Sequence, residues 1–208
     1  WGSQESDFFL PDAVEFVDPW PRVGEGSVGY HNATHPGVGW ALTYGVGPAL
    51  PLSAGEHNRV SDEAVEALMI AAGRPTATDV DDKTLPHELD WLRTAVHLNK
   101  GCYRGQESVA KVHNLGHPPR RLTLLHVDGS PSLLPAPGDT VMKDDAALGV
   151  ITRAGWHHEL GPVALALLKR MAPEGEVTIV TKDGAVAANQ ELLVPRDAGR
   201  AMPRRRLG

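Results

Sequence analysis

The stretch GEVTIVTKDGAVAANQELLV, residues 175–194, decides how the second half of this chain folds. Two β-prone runs, 175–181 and 185–194, flank Lys182-Asp183-Gly184. Asp-Gly between such runs is a strong hairpin signal. The same grammar extends upstream. RLTLLHV (121–127) stops at Asp128-Gly129, and DTVMK (139–143) and ALGVITRAG (147–155) flank Asp144-Asp145. PVALALLKR (162–170) sets Val163, Leu165 and Leu167 against alanines, which predicts a strand with one tight face. Five or six short strands punctuated this often predict a small antiparallel barrel or sandwich.

Before residue 121 the pattern is different. SDEAVEALMIAAGRP (61–75) predicts a helix with Ser61 as N-cap and Asp62 and Glu63 at its positive end. Val65, Leu68, Met69 and Ala72 are expected on its apolar stripe, with Gly73 at the C-terminal cap and Pro75 preventing continuation. Residues 1–58 are rich in Gly, Pro and aromatics, with β-favouring pieces at 28–31 and 38–44. His31 and His35 are four apart, but the turn composition between them reads as a loop and not as a metal site, so no metal is expected. The Asn32-Ala33-Thr34 sequon reads as incidental. Asp79, Asp81 and Asp82 lack the glycine and terminal Glu of a calcium loop and are expected in a solvated connection.

A net charge of -6 argues against a general phosphate-backbone binder, so no direct DNA binding is expected. No apolar run approaches the ~18 residues of a membrane span, and no signal-peptide pattern is present. A single cysteine excludes an internal disulfide and suits a reducing cytoplasm.

That cysteine lies in NKGCYRGQES, residues 99–108. A thiol reacts as thiolate, which nearby cations and a helix N-terminus favour. Lys100 and Arg104 flank Cys102, and GQESVAKVHNLGHPP (105–119) predicts a short helix just after it. Gly101 and Gly105 permit close backbone approach, Tyr103 offers a flat face, and Gln106 and Glu107 supply an amide and a carboxylate. Taken alone, a free cysteine is more commonly a small buried residue. A Cys–His nucleophile with His113 or His117 is a third reading, with no orienting partner to mark it.

Residues 100–107 match the K-G-C-Y-x-G-Q-E signature of the YgfZ family of folate-binding proteins at every fixed position. That family is related to the aminomethyltransferase (T-protein) of the glycine cleavage system. MIAAGRP (69–75) resembles its R-[IL]-E-A-G-x-P element, DVDDKTLPHE (79–88) its D-x-D…T-x-P-x-E stretch, and residues 135–168 its C-terminal barrel. The resemblance covers about residues 60–195. It implies an α+β fold, with a partial ferredoxin-like α/β portion followed by a small antiparallel C-terminal β-barrel. The expected divisions are a central portion over 1–117, the barrel over 118–195 and a disordered tail over 196–208. The N-terminal part of the family fold has no counterpart, so the chain is expected to carry only the central and C-terminal parts.

The resemblance further implies a cytoplasmic protein that binds tetrahydrofolate or a derivative. Its partners would be iron–sulfur enzymes, including tRNA-modifying ones, or the factors that assemble their clusters. Cys102 would be the functional thiol, with Lys100, Gly101, Tyr103, Gly105, Gln106 and Glu107 forming the folate surroundings. The family's Arg and Glu in the second element fall on Met69 and Ala71, so a pterin contact from Ala71's side chain is ruled out. The alternative is a folate-dependent aminomethyltransferase-like one-carbon transferase, against which T-protein-like motifs usually carry an acidic residue where Cys102 stands.

Overall fold

A computed structural model describes residues 14–31, 34–47 and 60–199. Two short strands come first, β1 (Val14–Val17) and β2 (Thr43–Val46), followed by helices α1 (Asp62–Ala71) and α2 (Gln106–Leu115). Six strands follow: β3 (Arg120–Val127), β4 (Thr140–Lys143), β5 (Ala146–His157), β6 (Gly161–Lys169), β7 (Glu176–Thr181) and β8 (Gly184–Leu192). These six close into an antiparallel barrel in the order β3-β6-β5-β4-β7-β8.

The barrel is the one expected from the turn spacing, and its turns form for local reasons. Asp144 and Asp145 both adopt positive φ, 47° and 62°, between the paired Lys143 and Ala146. Two left-handed residues match the twist of the strands they join, and Asp tolerates that conformation. Lys182 and Asp183 span the β7–β8 hairpin between the paired Thr181 and Gly184.

Strand β6 departs from the expectation of one tight face, because both of its faces are buried. Ala164, Ala166 and Leu168 point into the barrel with Leu125, Ile151, Val177, Ile179 and Val186. Val163, Leu165 and Leu167 point outward into a second core with Ile70, Leu89, Leu122, Leu124 and Leu193. Small residues fit the barrel's narrow interior, and large ones fill the space between barrel and helix.

Helix α1 starts and stops as its sequence signals. Ser61 Oγ accepts the backbone N–H of Ala64. At the other end Gly73 (φ 61°) donates to the Ile70 carbonyl and Arg74 donates to that of Met69, the paired bonds that close a helix on a left-handed glycine. Of the expected stripe Ala72 is buried, beside Ala67 and Ile70, while Val65, Leu68 and Met69 are half-exposed. Close approach sets this face: a Cβ on Gly155 of β5 would lie 3.2 Å from the Ala67 Cβ. Small residues on both sides bring the helix down on the strand, and bulk counts for less than fit.

Ion pairs clasp the connection after α1 to the barrel, where a solvated loop was expected. Asp79 is buried, with Oδ2 2.9 Å from Arg153 Nε of β5, and it also accepts the Thr152 hydroxyl. Glu88 is fully buried: Oε1 accepts the backbone N–H and Nε of Arg120, and Oε2 accepts Nη2 of Arg120 and the N–H of Leu85. Asp81, on the surface, completes the Arg120 pair, and that guanidinium holds its carboxyl well below the usual range.

The first part of the chain differs more from expectation. Residues 28–31 and 38–42 are not strands, and β1 and β2 pair only with each other among the described residues. No ferredoxin-like sheet forms there among the described residues. Of residues 196–199, within the expected tail, Ala198 is buried, and Arg196 Nε lies 3.3 Å from Glu174 at the surface. The rest of that tail, and Asn32 and Ala33 of the sequon, lie outside the described residues. No helix among the described residues is long and apolar enough to cross a membrane.

Gly155→Val tests the helix–barrel contact. The added methyls have no room against Ala67, so a loss of about 1–3 kcal/mol in urea unfolding is expected. An unchanged midpoint would show that α1 is not seated on β5 this closely.

Candidate functional site

The loop over residues 99–105 carries the motif to the surface. Cys102 is exposed, which overturns the reading of it as a small buried residue. Gly101, Arg104, Gly105 and Glu107 are exposed with it, and Gln106 is half-buried. Gly105 adopts φ 82° as the residue before α2, a conformation that favours glycine. Gly101 has no such backbone requirement, and a Cβ built on it would meet nothing within 4 Å. Packing therefore gives no reason for glycine at position 101.

Tyr103 anchors the loop. Its ring is half-buried against Leu92, Val96 and Val109, and its outer face lies under Lys100, whose Nζ is 5.2 Å from the ring centroid. That cation–π contact fixes the lysine ammonium beside the thiol-bearing segment. Helix α2 follows as expected and ends at Gly116, before Pro118-Pro119. No side chain caps its first turn, so the N–H groups at Glu107 and Ser108 face outward with the helix dipole behind them.

Behind the loop lies a buried polar cluster that sequence reasoning did not find. Asp90 sits between two 3-10 turns, Pro86–Leu89 and Trp91–Arg93, at φ 54°. Its Oδ1 accepts the Tyr30 N–H at 3.0 Å, and its Oδ2 accepts Arg93 Nη1 at 3.2 Å. Burial pushes its carboxyl up to about 6, against the pull of those two donors. Arg93 stacks 5.0 Å from the centroid of Trp20, whose indole N–H donates to the Ala72 carbonyl. Asp18 gathers the Trp20 N–H, Trp40 Nε1 and Arg74 Nε. Gly37 is required here, since a Cβ would come 2.6 Å from the Trp20 ring.

Two histidines in this cluster are buried and neutral. His35 Nδ1 accepts the Gly37 N–H, which places its proton on Nε2, 3.9 Å from Asp90. Burial, with Arg93 and His31 nearby, pushes its pKa down to about 3. His87 is fully buried, and neither ring nitrogen makes a well-formed hydrogen bond, although the Val109 backbone lies beside it. Burial and the neighbouring His113 push its pKa down to about 4. The spacing of PHELDWLR, with two acids and an arginine set among Leu and Trp, is the sequence signal for this cluster.

The structure leaves Lys100, Gly101, Cys102, Arg104, Gly105 and Glu107 exposed along one loop and the first turn of α2, with Tyr103 tucked beneath. It does not bring a histidine to Cys102. His113 Nδ1 contacts the Tyr30 hydroxyl at 3.4 Å, and His117 Nδ1 contacts the Ala198 carbonyl at 2.8 Å. Ala71 is half-buried, and the acids nearest in sequence are engaged elsewhere, Glu66 and Asp79 both by Arg153. Among the described residues no group of three or more His, Cys, Asp or Glu could hold a metal ion.

Comparison with known proteins gives the fold a relative. The structure of glycine cleavage system aminomethyltransferase T from Bartonella henselae superposes with a TM-score of 0.50 at 21% identity, over 66% of this chain and 39% of that one. An Arabidopsis thaliana protein named "Putative transferase, chloroplastic" is 31% identical over 126 residues, 58% of this chain and 27% of its own. No protein-family model matches. The chain has an aminomethyltransferase T-like fold and spans well under half the length of either protein.

Acid titration tests the buried cluster. A histidine held neutral in the folded state adds stability above its unfolded pKa of 6.5, and this is lost as pH falls through that value toward the folded one. For His87 the loss between about pH 6.5 and 4 is on the order of 3 kcal/mol. Asp90, raised to about 6, contributes with the opposite sign over the same window. His87→Leu should therefore flatten the acid limb of a urea-midpoint profile. An acid limb as steep as wild type would contradict a buried neutral imidazole.

Proposed function

We propose that this chain binds tetrahydrofolate or a derivative on the face formed by residues 100–107. On this reading it acts as an accessory protein in the assembly or repair of iron–sulfur clusters, including those of tRNA-modifying enzymes. The observation that carries it is an intact, solvent-facing K-G-C-Y-x-G-Q-E loop on an aminomethyltransferase T-like fold.

The residues present suit a folate. Lys100 and Arg104 are exposed cations for glutamyl carboxylates, and Gln106 and Glu107 offer an amide and an acid for pterin polar atoms. The bare surface at Gly101 allows a ligand to lie against the main chain. The Ala71 side chain supplies no acceptor, so on this reading the motif residues supply the polar contacts to the pterin edge. Bound folate would supply a carrier for one-carbon groups. The chain's own residues bind and orient it and present the Cys102 thiol beside it.

The second reading, a one-carbon transferase, is favoured by the name of the Arabidopsis relative. Folate-dependent methylene transfer in a direct assay would place it first.

Calorimetry with tetrahydrofolate is the test. Gly101→Val should leave stability within about 0.5 kcal/mol, because its Cβ meets nothing. The same variant should weaken folate binding by about tenfold or more, equivalent to 1.4 kcal/mol. Cys102→Ala should bind folate yet fail to restore an iron–sulfur enzyme defect. Absence of binding by the wild-type protein, together with full rescue by Cys102→Ala, would overturn the proposal.

A further inference from the structure

Tyr30 touches several separate parts of the molecule. Its ring packs against the outer core of barrel and α1, and also against the Leu92, Val96 and Val109 cluster that seats Tyr103. It stacks on His87, with ring centroids 6.2 Å apart and planes 22° from parallel. Its backbone N–H binds Asp90, and its hydroxyl meets His113 Nδ1 on α2. Burial, with Asp90 nearby, pushes the phenol pKa up, so the hydroxyl keeps its proton and can donate to a neutral His113.

We infer that Tyr30 is a positioning residue: its contact with His113 clamps α2, and with it the 99–105 loop, to the buried Asp90 turn, and so sets how the Cys102 face is presented. Three features support this. First, α2 buries only Val109 completely, so apolar packing alone holds it weakly. Second, the loop it continues has two exposed glycines and no side-chain cap; it is tied at its start by the Asn99 N–H to His97 and beyond that by Tyr103 and α2. Third, the Tyr30–His113 contact joins segments 83 residues apart, and it lies one helical turn from Val109. This inference rests on residues 100–107 being the working face, but its test needs no folate.

The test is a double-mutant cycle read by Cys102 alkylation rate and by amide exchange over 103–112, with 120–127 of the barrel as internal reference. Tyr30→Phe keeps the ring and deletes the hydroxyl, and should speed both readouts about three- to tenfold while barrel exchange stays unchanged. His113→Leu should do the same, and the double variant should add little to either single change. His113→Gln keeps an acceptor and should return the rates to near wild type. Tyr30→Phe indistinguishable from wild type, additive effects in the double variant, or equal acceleration in the barrel would each overturn the inference. A null folate titration alongside a non-additive cycle would sink the proposed function and leave the clamp standing.

Discussion

The carboxylate of Glu88 is the constraint on which the arrangement depends. It is fully buried, and a buried charge is tolerated only when paired and fully hydrogen-bonded. Four donors meet it: three from Arg120, the first residue of β3, and one from the N–H of Leu85. The pairing fixes the 84–89 turn to the start of the barrel. Everything next in the chain inherits that position: Leu89 in the outer core, Asp90 at its left-handed turn, Arg93 against Trp20. Asp79 and Arg153 make a second clasp to the same wall. Removal of one partner from such a pair characteristically costs several kcal/mol, because the other charge stays buried.

From this base the proposed folate face is built outward in layers. The barrel holds the 3-10 turns through Glu88 and Asp79, and the turns hold Tyr30 through Asp90. Tyr30, Leu92 and Val109 then seat Tyr103, which carries Lys100 on its outer face. Burial falls along that series, from barrel strands to a loop with Gly101 and Gly105 exposed on either side of the thiol. On the proposed reading, the exposed Cys102 thiol, with Lys100 and Arg104 exposed on either side, is placed to meet a ligand arriving from outside. A thiol used only for packing has no need of that exposure.

Much of this was legible in the residues because it is local. Asp144-Asp145 and Lys182-Asp183-Gly184 dictate their turns, Ser61 and Gly73 dictate the ends of α1, and Gly116 with Pro118 ends α2. Turn spacing left a barrel or a sandwich, and the family resemblance pointed to the barrel that forms. What escaped depends on partners distant in sequence. The alanine face of β6 is buried because the sheet closes on itself, which periodicity along one strand does not reveal. Ala67 faces the core because Gly155, 88 residues away, leaves room for it. Asp79 and Asp81 resembled a solvated acidic loop until Arg153 and Arg120 supplied their charges. The Asp18, Trp20, Asp90 and Arg93 cluster joins two segments some seventy residues apart. Of the site, the motif was legible as a block, while its exposure and the support beneath it were not.

Backbone amide shifts of the labelled chain during titration with tetrahydrofolate test the central claim most directly. If residues 100–107 are the folate face, saturable shifts appear at Lys100 to Ser108 and fade toward Tyr30 and His113, with strands β7 and β8 unmoved. Shifts centred in the barrel, or no saturable shift at the loop, would contradict it.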